Sequence, residues 1–262
     1  MNPALVNLSL ACYLLSAILY FSRMMFKPQY LSKIATVLMS IGFILHTSYI
    51  INRWYICRRL PIVSLYETIV FFAWSMVLIY LILERSYKLR YLEIPVSILA
   101  VLTLAYASIL DKSIKPLMPA LKSNWIVVHV ISYFIGYSGC AISFLLSVCY
   151  LFIGRKAAPA GAPARLDDLS YRLIGFAFPF LTMGLTTGAV WAKVAWGSYW
   201  SWDPKESWAL ITWLIYALYL HLRIVKKWQA KPAAYVNIIG FLCALFTFFG
   251  VNYLLKGLHS YL

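Results

Sequence analysis

Apolar residues fall into eight runs separated by short polar connections, at residues 4–22, 34–53, 66–83, 92–110, 125–153, 171–191, 206–224 and 234–254. Most runs are continuous for about 18–22 positions, the length an α-helix needs to cross a ~30 Å hydrocarbon layer, whereas a transmembrane barrel strand alternates apolar and polar residues over about ten. The pattern predicts an all-α, polytopic membrane protein with about eight transmembrane helices, forming a single integral membrane domain over residues 1–262. No connection is long enough to fold alone. The first run has no Lys or Arg before it, Arg23 after it and no small-residue cleavage site, so it reads as a retained span and not as a secretion signal. The Ala/Pro/Gly-rich segment 154–169 reads as a flexible cytoplasmic loop, and no internal repeat of the kind that marks many transporters is evident.

Composition agrees: at 63% apolar and 12% charged residues the chain cannot present a polar surface to water on all sides. The net charge of +15 comes from Lys and Arg scattered at the ends of the runs, where topology and anionic lipid headgroups call for them. No basic stripe with interleaved aromatics lies outside the bilayer, so membrane lipid is an expected partner and nucleic acid is not. Fourteen of the 23 Lys and Arg fall on the first, third, fifth and seventh connections. Basic residues accumulate on the cytoplasmic side, which puts both termini, and the connection between the sixth and seventh runs, outside.

That connection carries the candidate chemistry. Residues 196–208 read W-G-S-Y-W-S-W-D-P-K-E-S-W, so Trp196, Trp200, Trp202 and Trp208 cluster with Tyr199 around Asp203. Interfacial Trp and Tyr anchor helix ends whether or not anything binds, which accounts for Trp54, Trp125 and Trp191. The denser cluster exceeds what anchoring one helix requires and offers a platform for a large flat ligand. Asp203, followed by Pro204 and by Glu206 three residues on, reads as a helix N-cap with a reciprocal capping Glu, and Ser64 with Glu67 reads the same way.

Only four histidines are present. His129, near the outer start of the fifth run, and His259, beyond the outer end of the eighth, sit level with the Trp-rich connection; His46 and His221 lie within runs, at different depths. An isolated membrane histidine usually makes an interhelical hydrogen bond, yet ionisable groups inside spans are expensive enough to mark functional candidates. Two imidazoles approaching one iron would hold a porphyrin against the tryptophans. The five cysteines form no C-x-x-C pair, and no Walker sequence, G-x-G-x-x-G or H-E-x-x-H is present. Arg53, Arg58, Arg59 and Lys193 are candidates for haem propionates by position alone.

The run from Trp196 to His221 resembles the Trp-rich WWD signature of haem-handling membrane proteins in cytochrome c biogenesis, and more narrowly the system II type, CcsA/ResC. The stretches S-L-Y-E-T at 64–68, W-I-V-V-H-V-I-S-Y at 125–133 and G-V-N-Y-L-L-K-G-L-H-S-Y at 250–261 fit the same family, so the resemblance covers nearly the whole chain. It implies that His129 and His259 are axial ligands of haem b carried as cargo at the external face. It also implies that His46 and His221 hold haem within the membrane, and that Trp196, Trp200, Trp202 and Asp203 form the external platform, in a haem-binding loop over 192–206. The implied activity is presentation of haem for thioether attachment to an apocytochrome c bearing C-x-x-C-H, within a cytochrome c synthase complex that includes a partner subunit with a large external domain. The implied location is a bacterial inner membrane or a thylakoid membrane. A membrane b-type cytochrome working with quinone, or a haem transporter without an attachment role, are the alternative readings of the same residues.

Overall fold

The computed structural model describes residues 4–114, 116–152 and 161–258. Eight helices occur among them: α1 (Ala4–Phe26), α2 (Gln29–Cys57), α3 (Leu65–Tyr87), α4 (Glu93–Ser108), α5 (Asn124–Phe152), α6 (Ala162–Trp196), α7 (Pro204–Ile224) and α8 (Lys231–Leu254), the last with one π turn at Phe246–Gly250. Seven are long and apolar enough to cross a membrane, one fewer than the eight expected. The exception is α4. Its 16 residues give roughly 24 Å at 1.5 Å per residue, because the helix starts only at Glu93, after a turn, and ends at Ser108. Leu14, Ile18, Ile44, Ile51, Leu214, Leu218 and Ile239 are exposed on the outer helix faces, as lipid-facing side chains would be.

The chain divides into two compact units, residues 1–116 and 117–262. In each, four helices form a ring in which every helix packs on its chain neighbours and the last packs on the first: α1–α4 in one unit, α5–α8 in the other. Where α5 meets α6, Gly139 packs on Ala177 and Gly136 on Leu181, and a side chain at either glycine would press on its neighbour. Small residues of this kind let membrane helices approach closely.

In the first unit α4 and the residues after it run from one end of the ring to the other. At its start, the Glu93 carboxylate accepts hydrogen bonds from Arg23 Nη1, in the last turn of α1, and from Ser32 Oγ, at the start of α2, both at 2.7 Å. Beyond its end, the Lys112 carbonyl accepts from Arg53 Nη1, near the other end of α2, at 3.1 Å. The short helix is thus completed by non-helical residues.

Both units carry the same hairpin pattern, a repeat that the sequence reading did not anticipate. Ser64 caps α3 in a capping box with Glu67, and Asp203 caps α7 in a capping box with Glu206. Ten positions after each cap stands a tryptophan whose indole N–H donates to a threonine on the preceding helix: Trp74 to Thr47 Oγ1 at 2.8 Å, Trp213 to Thr182 Oγ1 at 2.9 Å. Each indole also stacks on the phenylalanine one turn before that threonine, Phe43 or Phe178.

The expected loop at 154–169 is partly helix. Residues 153–160 lie outside the described residues, and α6 begins at Ala162, where Pro163 sits in the first turn. Asp167 then accepts a 2.7 Å bond from Arg223 Nη1 and a 3.2 Å bond from the Ala230 N–H, fastening this end of α6 to the α7–α8 connection.

Candidate functional site

The Trp-rich connection is shorter than the expected 192–206. α6 runs through Trp196 and stops because Gly197 takes a left-handed conformation, φ +84°, its N–H donating to the Lys193 carbonyl. Lys193 Nζ in turn donates to the Gly197 carbonyl at 2.8 Å and lies over the Tyr199 ring, so the cap uses this ammonium. The loop proper is residues 197–203. Trp200 and Trp202 meet edge to face with centroids 5.8 Å apart, and Trp202, at 70% exposure, presents most of its ring outward. Trp202 has φ +58°, a left-handed conformation that a bulky side chain disfavours. Such strain persists only where the surroundings impose it. Here the Trp202 carbonyl accepts from Ser207 Oγ, while the Glu206 carboxylate accepts from the N–H groups of Ser201 and Asp203 on either side.

Asp203 is the N-cap of α7, as its sequence pattern predicts: Oδ2 accepts from the Lys205 N–H at 3.0 Å. It also does something the pattern does not show. Its second oxygen, Oδ1, accepts from the N–H of Leu258 at 2.6 Å, fastening the segment that follows α8 to the Trp-rich loop. His259 itself lies outside the described residues.

His129 stands one turn into α5, facing α6. Its Nδ1 lies 2.8 Å from the Gly184 carbonyl. A carbonyl can only accept, so Nδ1 carries the hydrogen, and in the neutral ring this leaves the lone pair on Nε2, the tautomer of an imidazole that ligates a metal through Nε2. The ring is seated by three residues one or two turns apart on α6. Gly184 supplies the acceptor; Gly188 leaves the space, since a Cβ there would stand 2.5 Å from Nδ1; and Trp191 stacks on the imidazole at 6.1 Å and 23°. Tyr133 closes the cradle edge to face at 5.0 Å. Trp191 is buried, donates its indole N–H to the Ala120 carbonyl at 2.8 Å and meets Trp196 edge to face at 4.7 Å. It therefore links the imidazole to the start of the Trp-rich loop. Sequence reading assigned Trp191 to interfacial anchoring and passed over Gly184 and Gly188; the signal was their i, i+4, i+7 spacing with Trp191 on one helix face.

The other two histidines stand apart from this arrangement. His46 is fully buried in the first unit, roughly 16 Å along α2 from its end at Cys57. Its Nδ1 is hydrogen-bonded with Tyr13 Oη at 3.3 Å, and the ring is buried against the Val70 backbone. His221 is in the last turn of α7 and exposed. The arginines suggested for propionates are also engaged. Arg53 and Arg59 converge on the buried Glu67 carboxylate at 2.9 and 2.8 Å, and Arg58 lies over the Tyr55 ring. Glu67 accepts from the Val63 and Ser64 N–H groups as well, which makes it the centre of a structural network.

Seven apolar helices of membrane length, with an imidazole cradled against Trp191 beside a Trp-rich loop, define a multi-span membrane protein with a candidate site for a large flat ligand. The chain belongs to the cytochrome C assembly protein family, whose pattern matches residues 62–259. It is 38% identical to cytochrome c biogenesis protein CcsA of Porphyra purpurea over all of this chain and 97% of that one, and 34% identical to the protein of the same name from Synechocystis sp. over 97% and 96%. The corresponding protein of Chlamydomonas reinhardtii is 41% identical over 87% of this chain and 68% of its own. Among solved structures, cytochrome c haem lyase CcmF superposes with a TM-score of 0.73 at 18% identity, covering 98% of this chain. The fold is shared, and this chain spans about half the length of that protein, 48%.

Proposed function

We propose that this chain binds haem b as cargo and presents it, at the Trp-rich face of its second unit, for covalent attachment to apocytochrome c. The observation that carries the proposal is the His129 cradle, in which the Gly184 carbonyl fixes the tautomer and Trp191 stacks on the ring and leads to Trp196. His129 and His259 are the axial ligands in this reading, and Trp196, Trp200 and Trp202 flank the porphyrin. His46 and His221 serve haem on its way across the bilayer. The complete burial of His46 within the first unit supports that part, because an ionisable group inside a span is costly and marks a functional candidate.

Attachment adds each thiol of C-x-x-C-H across a haem vinyl double bond, with no leaving group, so this chain's task is to hold the porphyrin edge accessible and the iron coordinated. The histidine of the substrate motif then replaces one protein imidazole. Names of the relatives support a place in system II, where a partner subunit with a large external domain receives the apocytochrome. Eight crossings with both termini and the Trp-rich loop outside complete the reading, α4 and the residues after it supplying the eighth.

The test is the reduced visible spectrum and pyridine haemochrome of the purified chain beside a His129→Ala, His259→Ala double variant. Co-purified b-type haem that is depleted or spectrally altered in the double variant is the expected result. Equal haem with an unchanged spectrum in both proteins would remove the external site.

A further inference from the structure

We propose that Asp203 is a positioning residue for the C-terminal imidazole: besides capping α7, its carboxylate holds the backbone of Leu258, the residue immediately before His259. The proposal rests on the reading of His259 as a haem ligand given above. A helix N-cap needs one side-chain oxygen. Asp203 uses Oδ2 for that purpose, and its Oδ1 accepts from the Leu258 N–H at 2.6 Å. Asp203 is buried, at 6% exposure, so this charge-assisted bond is little screened by water.

Gly257 makes the approach possible, since a Cβ at that position would overlap Asp203 Oδ1. A second tie lies a few residues earlier, where Lys205 Nζ donates to Asn252 Oδ1 at 3.0 Å, and Asn252 Nδ2 donates to the Phe248 carbonyl at 2.7 Å. The first turn of α7 therefore grips the end of α8 and the segment after it at two points. The Trp-rich loop and the segment up to Leu258 are thus joined through the start of α7, with Asp203 as the tie next to His259 in the chain.

The cap and the clamp can be separated in the full-length chain, co-expressed with its partner subunit and purified with the haem it acquires. Gly257→Ala keeps the Asp203 side chain and closes the space that the clamp needs. Asp203→Ser keeps an N-capping oxygen and lacks the second acceptor. Both are expected to lower haem occupancy by about 10- to 100-fold, the range for loss of a group that orients a metal ligand. The haem that remains is expected to lose its low-spin bis-imidazole spectrum and to regain it on addition of free imidazole, as His259→Ala does. A defect that imidazole leaves uncorrected would show a damaged loop instead of a displaced ligand and would overturn the clamp. So would wild-type occupancy and spectrum in both variants beside a defective His259→Ala. A His259→Ala variant with wild-type haem would overturn the site reading itself, and the clamp with it.

Discussion

At the scale of single residues, the site depends on atoms that are absent as much as on those present. Gly188 sits in the interior of α6, where alanine would ordinarily stabilise a helix by roughly 0.5–1 kcal/mol. A Cβ there would stand 2.5 and 2.6 Å from Nδ1 and Cε1 of His129, too close to be accommodated without displacing the imidazole. Gly188→Ala is therefore expected to leave the chain at least as resistant to thermal unfolding in detergent while lowering haem occupancy, by about 10-fold or more if the ring loses its bond to the Gly184 carbonyl. Haem titration and a melting curve on the same preparation check the two halves, and wild-type occupancy would show that the cradle tolerates the methyl. The caps at Ser64 and Asp203 were legible in the sequence, because Ser or Asp followed by Glu at the third position is a local signal. The second duties of Glu67 and Asp203 were not. The Arg53–Glu67–Arg59 network and the Asp203–Leu258 bond join residues far apart in the chain, and only the packed helices bring them together.

At the scale of elements, hydrophobic length predicted helices well and misjudged their ends. The run at 92–110 has the apolar length of a span, but its helix stops at Ser108, and apolarity alone does not distinguish helical from extended residues at a boundary. Conversely, α6 extends at both ends of the run that predicted it, to Ala162 and to Trp196, which shortens the loops on either side. The repeated hairpin was present in the sequence as cap, Glu three later and Trp ten later, a pattern too sparse to stand out against aromatic background. It gives a quantitative expectation. Thr47 and Thr182 each donate their hydroxyl hydrogen to a carbonyl one turn back, at 2.8 and 3.0 Å, and accept the indole N–H with the same oxygen. Replacing the tryptophan by phenylalanine removes one interhelical bond and strands no buried donor. Trp74→Phe and Trp213→Phe should each destabilise the chain by similar amounts, about 0.6 kcal/mol and at most about 1.7, the average and the maximum measured for hydrogen bonds between membrane helices. Denaturant unfolding in mixed micelles measures both; a loss confined to one of them would mean that the two hairpins are alike in geometry but not in load.

At the scale of the whole molecule, topology turns on α4. If the chain crosses the membrane only with its seven long helices, the two termini fall on opposite sides, and the bias of fourteen basic residues on alternate connections loses its meaning. If α4 and the residues after it cross as well, both termini share a side. The ion pair of Glu93 with Arg23 at one end, and the bond from Arg53 to the Lys112 carbonyl at the other, span nearly the length of α2 from Ser32 to Arg53, roughly 32 Å at 1.5 Å per residue. That distance is close to the thickness of the hydrocarbon core, as a crossing by α4 and the residues after it would require. Non-helical backbone at membrane depth is tolerated where protein satisfies its polar groups, and the Arg53 guanidinium does so for Lys112. Single cysteines in an otherwise cysteine-free chain resolve the matter. Ser198→Cys in the Trp-rich loop and Asn2→Cys at the amino terminus should both react with an impermeant maleimide from outside intact cells, while Lys88→Cys and Lys226→Cys should react only after the membrane is opened. Labelling of Ser198→Cys and Asn2→Cys from opposite sides would leave seven crossings, and would move α4 from the bilayer core to its surface.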